Sequence, residues 1–197
     1  HAKIAVNLSA KQLIRQDMLV QIKRILKRTG FPPEQLIIEL TESLVLDTLA
    51  KTSETLTGLR NMGIEIAIDD FGTGYSTFKL LKTLPVDILK IDQMFIANLL
   101  DNKVDVAITQ AIIDVAHALD MRVVAEGVEN VEHANLLQEL GCDTIQGFYL
   151  SEALPRTEIT KLLCLGIPGI TKQRTNADIE ETQKKMAEKK NETIALA

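Results

Sequence analysis

The fold class this sequence predicts is α/β, a (β/α)8 TIM-type barrel, and three observations point there. Short β-branched apolar runs alternate with segments of helical periodicity, the order of parallel βαβ units. Nearly every run ends in a polar functional group: Asn7, Glu39, Asp69 with Asp70, Lys90 with Asp92, Glu126, and Gln146. A ring of such groups at C-terminal strand ends is what a barrel presents at its catalytic face. An open doubly wound sheet would gather its site at one switch point instead. The third observation is bulk: 197 residues, 46% hydrophobic and 25% charged, suffice for one sizeable core.

The elements follow in order. The first run, Ile4 to Val6, leads to a helix predicted over Lys11 to Thr29, with Leu13, Ile14, Ile22, Ile25 and Leu26 on one side. Gly30, Pro32 and Pro33 stop it. Leu36 to Leu40 is the second strand, and the helix after it spans Leu46 to Met62, with Leu49, Leu56 and Leu59, and ends at Gly63. Glu65 to Ile68 is the third strand, from which Asp70 to Ser76 runs as a glycine-rich loop into a helix. Ile88 to Ile91, the helix Val104 to Leu119, Arg122 to Ala125, the helix Val131 to Leu140 and a last strand, Thr144 to Tyr149, complete the pattern. Six runs are fewer than eight, so the barrel reads as incomplete, with about six strands in the chain and two expected N-terminal to His1. The barrel domain is expected over 1–168. Residues 169–197 form a charged tail, helical or disordered, in which Glu180 and Lys184, and Glu181 and Lys185, stand at helical ion-pair spacing.

Composition excludes several classes. No stretch of 18 apolar residues and no signal peptide occur, so a cytoplasmic domain without membrane contact is expected. Cys142 and Cys164 make no metal-ligand spacing and read as reduced thiols. A net charge of −5 speaks against a nucleic-acid polymer as partner. An anionic substrate would then need local positive charge, from a metal or a placed lysine.

The acids carry the chemical argument. A single Asp after a strand is commonly a helix N-cap, and Asp92 is open to that reading. Asp69 and Asp70 are adjacent: in an extended chain their side chains diverge, but a bend there would turn both to one pocket. Close carboxylates repel unless a cation sits between them. With Glu39 and Glu126 from neighbouring strand ends, four acids converge near one lysine, Lys90. A metal site relieves that repulsion, and all-oxygen ligands favour hard ions such as Mg²⁺ or Mn²⁺. The segment Asp70-Phe71-Gly72-Thr73-Gly74-Tyr75-Ser76 matches neither a Walker A nor a dinucleotide fingerprint. It reads as a tight turn with a helix cap, or as a mobile loop over the site.

Six motifs in register carry a resemblance: Asn7-Leu8-Ser9, Glu39-Leu40-Thr41-Glu42, Asp69-Asp70-Phe71-Gly72-Thr73-Gly74, Lys90-Ile91-Asp92, Ala125-Glu126-Gly127-Val128-Glu129 and Gln146-Gly147-Phe148. Over roughly residues 3 to 165 the chain resembles the EAL-domain family, modified (β/α)8 barrels that hydrolyse the bacterial second messenger cyclic di-GMP to linear pGpG with two metal ions. The resemblance implies that Asn7, Glu39 and Asp69 hold one metal, Mg²⁺ or Mn²⁺, and that Asp69 bridges to a second held by Asp70 and Glu126. It gives Lys90 and Glu126 catalytic roles at the attacking water, and places Asp92, Glu129 and Gln146 at the substrate. Glu42, Thr73 and Gly74 anchor the loop.

The Glu-Ala-Leu motif that names the family does not occur in the chain; it is expected before His1, and the chain in isolation is expected to be an inefficient enzyme. A sensor or GGDEF-type domain is expected upstream, and a homodimer is compatible with the resemblance. The principal alternative is a catalytically inactive EAL-like receptor for cyclic di-GMP. An enolase-type barrel is disfavoured by the Asp-Asp pair ahead of a glycine-rich loop.

Overall fold

The structure, a computed structural model, describes residues 2–73 and 81–165. The chain divides into two units, His1–Glu152 and Ala153–Ala197. In the second unit the described structure includes one helix, α7 (Arg156–Leu165); the tail expected from 169 lies outside the described residues.

The first unit contains, among the described residues, six parallel strands: β1 (Ile4–Asn7), β2 (Leu36–Thr41), β3 (Glu65–Phe71), β4 (Ile88–Ile91), β5 (Arg122–Ala125) and β6 (Thr144–Ile145). They pair in sequence order, each with the next, so the sheet has no point where strand order reverses. Because βαβ crossovers share one hand, such an order keeps the connecting helices on one face and leaves the other for a barrel interior. The helices are α1 (Ala10–Leu13), α2 (Met18–Thr29), α3 (Glu42–Asn61), α4 (Gln93–Ile96), α5 (Lys103–Ala118) and α6 (Val131–Glu139).

Alternation along each strand sorts the side chains. Ile38 and Leu40, Ile66 and Ile68, Leu89 and Ile91, and Val123 and Ala125 are buried on one face. Alternate positions on the other face line a concave cavity of about 330 Å³, apolar at Ala5, Ile37, Ala67, Ile88 and Val124 and charged at Glu39 and Lys90. Two aspartates lock the N-terminal ends in the same way. Asp87, ahead of β4, accepts the Ile66 N–H at 2.9 Å and pairs with Arg60 at 2.7 Å. Asp143, ahead of β6, accepts the Val123 N–H at 2.7 Å and meets His117 Nε2 at 2.9 Å. Burial raises the Asp143 carboxyl, but these two partners outweigh it and hold the group below the usual range.

The helix expected from Leu46 starts at Glu42 and the third strand runs past Ile68 to Phe71; two further differences change how side chains are placed. The helix predicted over Lys11 to Thr29 is two helices, with Arg15 paired to Asp17 at 3.0 Å between them. In one straight helix Leu13 and Met18 would stand about 140° apart, unable to share a face. The break lets both bury, while Ile14 and Ile25, expected on that face, are exposed. The last strand ends at Ile145 rather than Tyr149. Beyond it the chain wraps around Val128, whose N–H donates to Gln146 O at 3.0 Å and whose O accepts from the Tyr149 N–H at 3.0 Å. A Cβ on Gly147 would lie 2.2 Å from Val128 O and 2.4 Å from Val128 N, so only glycine fits. Gly147→Ala is expected to cost about 3 kcal/mol or more in urea unfolding, since backbone rather than a side chain must give way. A cost under about 0.5 kcal/mol would show that the wrap is not rigid.

Candidate active site

The site begins with strand register. Asn7 pairs with Glu39 across β1 and β2, and Thr41 with Asp69 across β2 and β3, so these side chains leave neighbouring strands at one end of the sheet. Between β3 and β4 the register slips: Ile68 pairs with Leu89, but Phe71 pairs with Ile91, leaving an extra residue on β3. Asp70 sits in this bulge with φ 56°, a left-handed conformation that Asp tolerates at about 1 kcal/mol. The bend expected at the Asp pair is therefore present. Carboxylate oxygens of Asp69, Asp70 and Glu126 lie within 4.8 Å of one another.

Lys90, 5% exposed, points into the acids. Its Nζ stands 2.6 Å from Glu126 Oε1, 2.7 Å from Asp69 Oδ1 and 3.0 Å from Glu39 Oε1. Burial disfavours its charge, but the hydrogen bonds to these three carboxylates outweigh it and drive its pKa upward, so the ammonium stays charged. Glu126 is shifted up by burial, only partly offset by Lys90, with Asp69 and Glu39 adding repulsion. Asp70 is raised by burial first, then by the neighbouring carboxylates of Asp69 and Asp92. A cluster of four acids and one lysine retains net negative charge, which calls for further cations.

The remaining expected residues fall around this centre. Asn7, Glu39, Asp69 and Asp70 line one open cleft of about 660 Å³, with Ser9, Gln12 and Thr41 beside them. Gln12 went unnoticed in the sequence; it is placed there by the first turn after β1, where its Oε1 accepts from Ser9 Oγ at 2.7 Å. Asp92 accepts the Met94 N–H at 2.7 Å as the N-cap of α4, the structural role its position left open. Glu129 is exposed in the loop after β5, and Gln146 lines the concave cavity.

Glu42 is 2% exposed and accepts the Gly72 N–H at 2.8 Å, joining the start of α3 to the turn after β3. Gly72 has φ 99°, which favours glycine. Thr73 Oγ1 donates to Asp70 O at 2.9 Å, and Gly74 lies outside the described residues. Glu42→Ala is expected to speed amide exchange at Gly72 by about tenfold or more, because a charge-assisted hydrogen bond contributes about 1.5–3 kcal/mol. Unchanged exchange would show that Glu42 does not hold the turn.

The donor set suits a hard divalent cation: carboxylate oxygens within ligand-sharing distance, an amide in the same cleft, and excess negative charge.

Comparison with known proteins follows the same line. The family model for the EAL domain matches residues 1–153. MucR of Pseudomonas aeruginosa, named a bifunctional diguanylate cyclase/cyclic di-GMP phosphodiesterase, is 40% identical over 156 residues, 79% of this chain and 23% of its own. The EAL domain of Mycobacterium smegmatis DcpA superposes with a TM-score of 0.79 at 43% identity, covering 83% of this chain and 74% of that one. Klebsiella pneumoniae BlrP1, solved as a manganese/cy-diGMP complex, superposes at 0.70 with 33% identity, over 74% of this chain and 38% of its own. The chain spans about a fifth to a quarter of the length of the curated relatives it matches. The expected barrel class is thereby shown.

Proposed function

The chain belongs to the EAL-domain family, and from that premise we propose that it carries the catalytic centre of a phosphodiesterase cleaving cyclic di-GMP to linear pGpG. The observation that supports this best is the meeting of Asp69, Asp70 and Glu126 within 4.8 Å, with Glu39 and Lys90 packed against them. MucR is named a cyclic di-GMP phosphodiesterase, and BlrP1 was solved with the same dinucleotide.

In this reading Asn7, Glu39 and Asp69 hold one divalent ion, and Asp69, Asp70 and Glu126 a second, Mg²⁺ or Mn²⁺ in each case. Ions bound there would lower the pKa of a water and offset charge on the phosphoryl oxygens. The protein's own groups do the rest. Lys90 stays charged among its three carboxylates, and an ion that took over one of them would leave an N–H to donate toward the attacking water. Glu126, with its carboxyl raised by burial, is suited to accept the water's proton. Asp92, Glu129 and Gln146 contact the dinucleotide, while Glu42 acts through Gly72 and Thr73 to position the loop that continues to Gly74. The barrel domain extends to residue 168 ahead of a charged tail. It works in the bacterial cytoplasm, joined to a sensor or GGDEF-type domain, an arrangement compatible with a homodimer.

Produced together with the segment expected before His1 and incubated with Mn²⁺, the protein is expected to convert cyclic di-GMP to pGpG, and a chelator should stop it; the 197-residue chain alone should turn over inefficiently. Tight binding of the dinucleotide with no pGpG at any metal concentration would overturn the hydrolase in favour of a receptor.

A further inference from the structure

The helix α2, Met-Leu-Val-Gln-Ile-Lys-Arg-Ile-Leu-Lys-Arg-Thr, carries four of the chain's 22 basic residues in twelve positions and no acid. Met18, Ile22 and Leu26 form its buried stripe. At 100° per residue, Arg24 and Lys27 fall opposite that stripe, with Lys23 and Arg28 on its two flanks, and all four are exposed. Among the described residues none of them joins a salt bridge, whereas Arg15, Arg60 and Arg122 all do. Val20, 58% exposed, lies in the middle of the same face. A chain of net charge −5 therefore concentrates unpaired positive charge on one helix surface.

Lys27 and Arg28 fall in the last helical turn, where the dipole favours cations. That accounts for two of the four; Lys23 and Arg24 stand further back. At the C-terminal end of the stripe, Lys23 and Lys27 border a recess of about 450 Å³ whose other walls include Leu26, Phe31 and Pro33. Cations and apolar surface are thus offered together.

We propose that this face of α2 docks on an anionic lipid surface. A row of four cations along one solvent-facing helix matches an extended array of phosphates, and each basic side chain near such a surface adds attraction. The neighbouring Val20 and the apolar recess meet the less polar region beneath the headgroups. α2 leads from β1 to β2, so its C-terminal end lies toward the N-terminal strand ends, away from the carboxylates; docking there leaves the candidate active site free. The sequence-based expectation of no membrane contact rested on the lack of a spanning segment, and a helix lying on the surface needs none. The proposal is independent of the phosphodiesterase reading.

Co-sedimentation of the 197-residue chain with vesicles tests it. Binding is expected to vesicles of phosphatidylglycerol and phosphatidylcholine, to fail with phosphatidylcholine alone, and to weaken steeply from about 0.1 to about 0.5 M salt as the screening length shrinks. Replacing Lys23, Arg24, Lys27 and Arg28 together by Gln should lower affinity about a hundredfold or more. Lys82→Gln with Lys103→Gln, away from the face, should change it by no more than about threefold. Circular dichroism checks that each variant is folded. No binding to the anionic vesicles, or equal binding by the fourfold variant, overturns the proposal. So does a chain that ignores vesicles but binds a Glu-rich peptide through these four residues, which would assign the face to an acidic protein.

Discussion

Lys90→Met is expected to destabilise the metal-free protein by about 3–5 kcal/mol, the scale for removing one partner of a buried charge cluster. The lysine is 5% exposed and serves Glu39, Asp69 and Glu126 at 2.6–3.0 Å, so its loss leaves three carboxylates facing each other without a counter-charge. The sign with pH follows. Glu126 already has a raised pKa in the folded protein, and losing Lys90 removes the influence that holds it down. An acid raised by folding costs stability at pH values above its unfolded pKa, and that cost fades as pH falls through the folded value. The gap between variant and wild type should therefore be widest near neutrality and narrow on acidification. Divalent cations should restore the variant more than the wild type, because they replace a charge that only the variant lacks. Urea unfolding at two pH values, with and without Mn²⁺, measures all three effects. A variant of wild-type stability at neutral pH would show that the acids are relieved by solvent rather than by Lys90.

Asp69→Asn is the substitution expected to affect turnover most. Asp69 and Glu126 both bond Lys90 and both belong to the Asp69, Asp70 and Glu126 group, but only Asp69 would serve both ions in the proposed reading. Asparagine keeps the shape and one acceptor but loses the charge, so pGpG formation should fall about a thousandfold or more. Stability should stay within about 1 kcal/mol of wild type, since removing one of several repelling acids offsets part of the lost bond to Lys90. Metal titration by calorimetry should show weakened binding at both positions. A neutral variant that kept most of its turnover would remove Asp69 from the role of bridge.

The alternation of strands and helices was legible in the chain because periods of two and of about 3.6 residues are local properties. So was the ring of polar residues at the strand ends: Asn7 and Asp69 follow their apolar runs directly, Glu39 and Lys90 stand one residue before the end of theirs, and parallel pairing carries all four to one end of the sheet. Other features were decided by contacts between distant segments. The adjacency of Asp69 and Asp70 can be read in any extended chain as divergence; a bulge against β4 and a left-handed Asp70 turn them together. The bond from Glu42 to Gly72 joins residues 30 positions apart. A continuous apolar period across Lys11 to Thr29 hid a break that the sheet imposes, so that Leu13 and Met18 can both bury. The run Thr144 to Tyr149 has strand character throughout, yet it leaves the sheet after Ile145 because its backbone bonds go to Val128. By itself the sequence determined which residues are available and the order in which strands deliver them. The tertiary structure decided which way each one faces, because bulges, breaks and strand ends answer to hydrogen bonds and packing across the sheet, which no local period encodes.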